Sequence, residues 1–155
     1  MKTANTADKP KIAVIGSGYW GKNLVRNYYE LGVLDLVCDK NEQLLSQFKG
    51  QYKSVEICYA LNDVLLRKNI CGVVIATPAE THYTLAREAL LADKHVYVEK
   101  PLVLQEHEAQ ELIELADRKN LVLMVGHLLQ YHPAFVHLKE LVQNGELGRI
   151  NYIYS

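Results

Sequence analysis

From Lys11 onward the chain alternates short apolar runs with amphipathic stretches, and this rhythm constrains the fold more than any other feature. Lys11 to Ile15 (KIAVI), Leu34 to Cys38 (LDLVC), Ser54 to Cys58, Cys71 to Ala76, His95 to Val98 and Leu121 to Val125 read as six strands. Five helices are expected between them, over Tyr19 to Leu31, Asn41 to Phe48, Asp63 to Lys68, Glu80 to Ala92 and Gln105 to Lys119. Gly32 closes the first by taking up a positive φ at low cost. Asn41 and Asn62 are expected to cap the second and third, and Ala109, Leu112, Ile113 and Ala116 share one face of the fifth. Strands apolar on both faces and separated by such helices predict an α/β fold, a doubly wound parallel sheet covered on both sides.

After Gly126 the rhythm changes. An irregular stretch from His127 to Pro133 leads into a helix over Ala134 to Gln143, stopped by Asn144-Gly145, and Ile150 to Tyr154 (INYIY) reads as a further strand. The sheet does not need that strand. The 155 residues therefore divide into a polar tail (1–10), a complete α/β unit (11–126) and the first helix and strand of a truncated second, α+β domain (127–155).

Composition excludes several functions. Seventeen Lys and Arg stand against eighteen Asp and Glu, a net charge of -1, so there is no electrostatic footprint for nucleic acid or an anionic membrane. No apolar run approaches the length of a membrane span, and Met1 to Pro10 is too polar for a signal peptide. Cys38, Cys58 and Cys71 show neither a disulfide framework nor a zinc pattern, which suits the cytoplasm. The six histidines have no metal-ligand spacing, so no metal is expected.

The sharpest local signal is Gly16-Ser17-Gly18-Tyr19-Trp20-Gly21, a G-x-G-x-x-G between the first strand and the first helix. Its glycines permit in turn a tight turn, close approach of a pyrophosphate and close helix–strand packing, with the anion resting on N–H groups at the helix start. This context makes the sheet Rossmann-type. Asp39 ends the second strand about 20 residues beyond Gly18, where a carboxylate accepts from an adenosine ribose and repels a 2′-phosphate. It favours NAD over NADP, although Lys40 offsets part of that repulsion.

Three further strand ends face the same crevice. Thr77-Pro78 ends the fourth, with His82 either facing the crevice or capping the turn. Glu99-Lys100-Pro101 ends the fifth. A lysine there can hold a substrate hydroxyl and help its proton leave, Pro101 would aim it, and Glu99 could pair with it; a surface Lys-Pro loop is the plainer reading of the residues alone. Gly126-His127 ends the sixth. His107 and His137 read as helix-surface residues.

Together, the glycine fingerprint, Asp39, ATPAETH (Ala76 to His82), EKP (Glu99 to Pro101) and Gly126-His127 resemble the N-terminal half of a Gfo/Idh/MocA-type oxidoreductase. The resemblance runs from Lys11 to Ser155. It implies an NAD-dependent dehydrogenase in which Lys100 is the active-site lysine and a mixed-sheet domain, often in homo-oligomers, holds the substrate. It also implies cofactor contacts at or near Gly16, Ser17, Gly18, Tyr19, Trp20, Gly21, Asp39, Lys40, Thr77, Pro78, His82, Glu99, Lys100 and His127. GSGYWGKNLVRNYYELG and GHLLQYHPAF are most similar to members that oxidise the 3-hydroxyl of nucleotide-linked N-acetylhexosamines or their uronic acids, on the way to surface polysaccharide. Such members carry a further acid/base histidine in the second domain, to which nothing here corresponds, so the 155 residues alone are expected to bind NAD without turnover. A non-catalytic dinucleotide-binding or redox-sensing module would need the glycine loop and Asp39 but not Lys100. A methyltransferase is disfavoured by the glycine spacing together with EKP.

Overall fold

A computed structural model describes residues 9–48 and 50–154. Six parallel strands, β1 (Lys11–Ile15), β2 (Leu34–Cys38), β3 (Glu56–Cys58), β4 (Ile70–Ile75), β5 (His95–Val98) and β6 (Leu123–Val125), lie in the order β3-β2-β1-β4-β5-β6. The helices between them are α1 (Gly21–Glu30), α2 (Glu42–Phe48), α3 (Leu61–Leu65), α4 (His82–Leu91) and α5 (Glu106–Lys119), and α6 (Pro133–Gln143) follows the sheet. The expected doubly wound Rossmann sheet is thus observed.

Alternation along each strand divides the core in two. Ala13, Ile15, Leu36, Val73, Ile75, Val96 and Val98 face one layer, packed with Val64 of α3, Ala86 and Leu90 of α4 and Leu112 of α5. Val14, Val37 and Val74 face the other, with Leu24 and Val25 of α1 and Leu45 and Phe48 of α2. Each fully buried Leu, Ile or Val contributes about 1.5–3 kcal/mol relative to exposure, so neither layer can be left open. This two-sided demand is why the strands read as continuous apolar runs.

Several local expectations hold. Gly32 ends α1 with φ 70° and donates its N–H to Tyr29 O at 2.8 Å. Asn41 Oδ1 accepts from the N–H groups of Gln43 and Leu44 at 3.0 and 3.2 Å, satisfying two donors at the start of α2. Others are corrected. Asn62 lies inside α3, whose N-cap is Ala60, so it caps nothing. On α5 the buried stripe is Leu112, Leu115 and Ala116, while Ile113 is exposed, because the i, i+3, i+4 face centred on Leu112 turns the next residue outward. Asn120 ends that helix in the left-handed region at φ 53°, which its short polar side chain tolerates. Ile150 to Tyr154 is not a strand: it pairs with nothing among the described residues, and Tyr152, Ile153 and Tyr154 are exposed. An extended segment without a partner has no ladder to join. Of the expected tail, residues 1–8 lie outside the described residues, and Lys9 Nζ donates to Leu31 O at 3.1 Å. Among the described residues no helix is long and apolar enough to cross a membrane.

Candidate functional site

The strand order reverses between β1 and β4, and ligands of such sheets lie beyond the carboxyl ends of the strands at that point. Gly16 leaves β1 there with φ 90°, its N–H donating to Cys38 O at 2.8 Å. A Cβ at Gly16 would stand 2.7 Å from Ala76 O, and one at Gly21 only 2.2 Å from Gly16 O. These two glycines let the β1–α1 turn fold against β4 and let α1 begin on top of it. Gly18 differs: a Cβ there would meet nothing within 4 Å. The space before Gly18 is an open cradle rather than a packing contact.

The cradle is lined by donors. Among the described residues the N–H groups of Gly18, Tyr19 and Trp20 find no protein acceptor, and no side chain caps α1. Unpaired N–H groups at a helix start suit an anion. Ser17 is buried, and both its N–H and its Oγ donate to Asp39 Oδ2, at 2.7 and 2.8 Å. Asp39 Oδ1 accepts from the Asn41 N–H at 2.9 Å. The carboxylate thus ties the end of β2 to the glycine turn. It uses three of roughly four acceptor positions, leaving about one for a ribose hydroxyl. The donors, the open cradle and this remaining acceptor fit a dinucleotide.

A cavity of about 950 Å³ adjoins the turn, and its wall includes Trp20, Thr77, His82, Glu99, Lys100 and His127. Six of the residues expected at the site therefore meet in one space. Tyr19, Lys40 and Pro78 are exposed and lie off that wall, Tyr19 instead carrying Lys22 Nζ 5.1 Å from its ring centre. Thr81 Oγ1 donates to Pro78 O at 2.7 Å, so the 2.7 Å contact between the two threonine hydroxyls spends the Thr77 proton on Thr81. His82 is buried, with Nδ1 2.7 Å from Pro101 O and Nε2 2.8 Å from Thr77 O.

Glu99 does not pair with Lys100. Its carboxylate is buried and accepts from Tyr97 Oη at 3.0 Å, while Lys100 is exposed on the cavity wall, joined to Pro101 by a cis peptide bond. Burial, followed by the Glu99 charge, pushes the Tyr97 and Tyr28 hydroxyls above the usual phenol range. Gly126 closes over this pair: a Cβ there would stand 2.5 Å from Tyr97 Oη and 3.0 Å from Glu99 Oε1. Sequence reasoning missed Tyr97, and it missed Leu128, Leu129 and Phe135, which complete the cavity wall. The signal for the last three was GHLLQYHPAF, which carried the family resemblance without being read as cavity wall.

Comparisons with known proteins agree with this geometry. The profile of an oxidoreductase family, with an NAD-binding Rossmann fold, matches residues 10–127. UDP-N-acetylglucosamine 3-dehydrogenase of Acidithiobacillus ferrooxidans is 32% identical over 131 residues, 84% of this chain and 41% of that protein. The NADP-dependent scyllo-inositol 2-dehydrogenase IolW of Bacillus subtilis is 26% identical over 97% of this chain and 42% of its own length. Among solved structures, GenD2 of gentamicin A biosynthesis, in complex with NAD, superposes with a TM-score of 0.84 at 28% identity, over 94% of this chain and 42% of that one. The chain thus spans less than half the length of these relatives.

Proposed function

The chain belongs to the Gfo/Idh/MocA family of oxidoreductases, and from that premise we propose that it is the dinucleotide-binding part of an NAD-dependent dehydrogenase acting on a hydroxyl of a sugar or nucleotide-sugar. One observation carries the reading: Lys100 shares a cavity with the residues beside the glycine turn, at the carboxyl ends of the central strands. Bound NAD would supply the hydride acceptor. The chain's own residues do the rest. The N–H groups from Gly18 to Trp20 hold the pyrophosphate, and Asp39 takes a ribose hydroxyl. Lys100 holds the substrate hydroxyl and stabilises the negative charge that develops on its oxygen as the proton leaves.

The family admits both nicotinamide dinucleotides, as IolW illustrates, so the choice of NAD rests on Asp39. The likeness to the Acidithiobacillus enzyme favours a nucleotide-linked N-acetylhexosamine oxidised at its 3-hydroxyl, and with it a place in surface polysaccharide synthesis. Residues 127–155 are assigned to the beginning of the substrate and oligomerisation domain; α6 buries none of its residues, as an element awaiting a partner would. Hydride transfer needs a second surface to press the sugar against the cofactor. The free thiols of Cys38, Cys58 and Cys71 suit the cytoplasm.

Calorimetric titration tests the cofactor assignment. NAD is expected to bind better than NADP. Asp39→Ala is expected to weaken NAD at least roughly tenfold, about 1.5–3 kcal/mol for hydrogen bonds to a charged group, and to erase the preference. Equal binding of both cofactors, unchanged by the substitution, would sink it.

A further inference from the structure

The last hydrogen bond that joins β4 to β5 at their carboxyl ends runs from the Glu99 N–H to Ile75 O, at 2.9 Å. Beyond it the two chains separate to form the crevice, one continuing as Thr77-Pro78 and the other as Lys100-Pro101. The ring of His82, the first residue of α4, stands in the gap and reaches a carbonyl on each side, Pro101 O at 2.7 Å and Thr77 O at 2.8 Å. A carbonyl oxygen only accepts. A neutral imidazole has one N–H, so its other nitrogen would set a lone pair against a carbonyl at under 3 Å. The two carbonyls are the partners that a ring with a proton on each nitrogen requires.

We propose that His82 is a positioning residue, a strap that donates from both ring nitrogens and replaces the missing rung between β4 and β5, so that Lys100 is held in the crevice. The inference rests on the dehydrogenase reading for what Lys100 does, though not for the strap itself. Pro101 O belongs to the residue directly after Lys100, so the strap limits where the lysine backbone can move. Among the described residues nothing else joins the two loops as directly: the Thr77 hydroxyl is spent on Thr81, and Glu99 is turned toward Tyr97.

Two spectroscopic measurements on residues 1–155 test it. With 15N-labelled histidine, one imidazole, assigned through its contacts with Pro101, is expected to show two slowly exchanging ring N–H signals. With 13C-labelled lysine, the Lys100 Cε signal, assigned with Lys100→Arg, is expected to shift on addition of NAD. The shift should persist in Leu90→Val, a core change on the same helix. In His82→Gln, compared at saturating NAD, it should shrink by roughly threefold or more, because the lysine backbone is no longer tied to the end of β4. A single ring N–H, or an undiminished Lys100 response in His82→Gln, overturns the strap. If the wild-type chain takes up no NAD, the dehydrogenase reading falls instead, and the ring signals, which need no variant, still decide the strap.

Discussion

Two glycines of one turn, three residues apart, should respond oppositely to the same added methyl group. At Gly21 the Cβ would stand 2.2 Å from Gly16 O and 2.9 Å from Gly16 C, both backbone atoms of a turn held by β1 and β4. Restoring ordinary contact requires α1 to retreat by about 1 Å, and overpacking of this kind costs about 1–3 kcal/mol. Alanine returns at most about 1 kcal/mol of helix propensity, and less at the first position of α1. The strain wins by about 1–2 kcal/mol, which lowers Tm by roughly 2–8 °C for a chain of this size. At Gly18 the Cβ meets nothing within 4 Å and φ lies outside the left-handed region, so Gly18→Ala should change stability by less than about 0.5 kcal/mol. That methyl enters the cradle assigned to the pyrophosphate, and NAD affinity should fall at least roughly tenfold, about 1.4 kcal/mol. Scanning calorimetry and NAD titration of both variants separate the effects. A Gly21→Ala protein that melts with the wild type refutes the packing argument, and a Gly18→Ala protein that binds NAD normally refutes the cradle.

Two more expectations concern the buried pair beneath the crevice. Gly126→Ala should displace the Tyr97 hydroxyl and strip the Glu99 carboxylate of its donor, costing about 1–3 kcal/mol; combined with Tyr97→Phe, which removes the colliding oxygen, the losses measured by denaturant unfolding should be less than additive. Because folding raises the Tyr97 and Tyr28 pKa values, the native state keeps protons that the unfolded chain loses above about pH 10. Stability should therefore fall as pH rises past that point, and Tyr97→Phe should shallow the fall in unfolding titrations; a stability unchanged between about pH 9 and pH 11 would contradict the buried phenols.

The legible parts of this protein were those governed by local chemistry. A strand buried on both faces must be largely apolar, so KIAVI and LDLVC announced their strands to the residue, with Lys11 and Asp35, the charged exceptions, paired to each other. A turn that lets a helix start against the next strand needs glycine where a Cβ would strike backbone, which is why Gly16 and Gly21 read correctly. INYIY misled because alternation describes a segment's capacity to pair, whereas a strand exists only where a partner offers its edge. Ile113 misled for a related reason: helical spacing defines several overlapping stripes, and contact with the sheet selects one.

Partnership across the chain was beyond local reading. Glu99 and Lys100 are neighbours in sequence and would pair if adjacency decided, yet the end of β5 turns one inward to Tyr97 and leaves the other on the cavity wall. His82 was legible as a crevice residue or a turn cap; it does line the cavity, and its ring also reaches carbonyls five and nineteen residues away. The sequence by itself determined the sheet, the glycine turn and the acid at the end of β2, because backbone sterics and burial act residue by residue. The tertiary structure decided which side chain each polar group answers to, because a hydrogen bond depends on distances of about 3 Å that only packing can set.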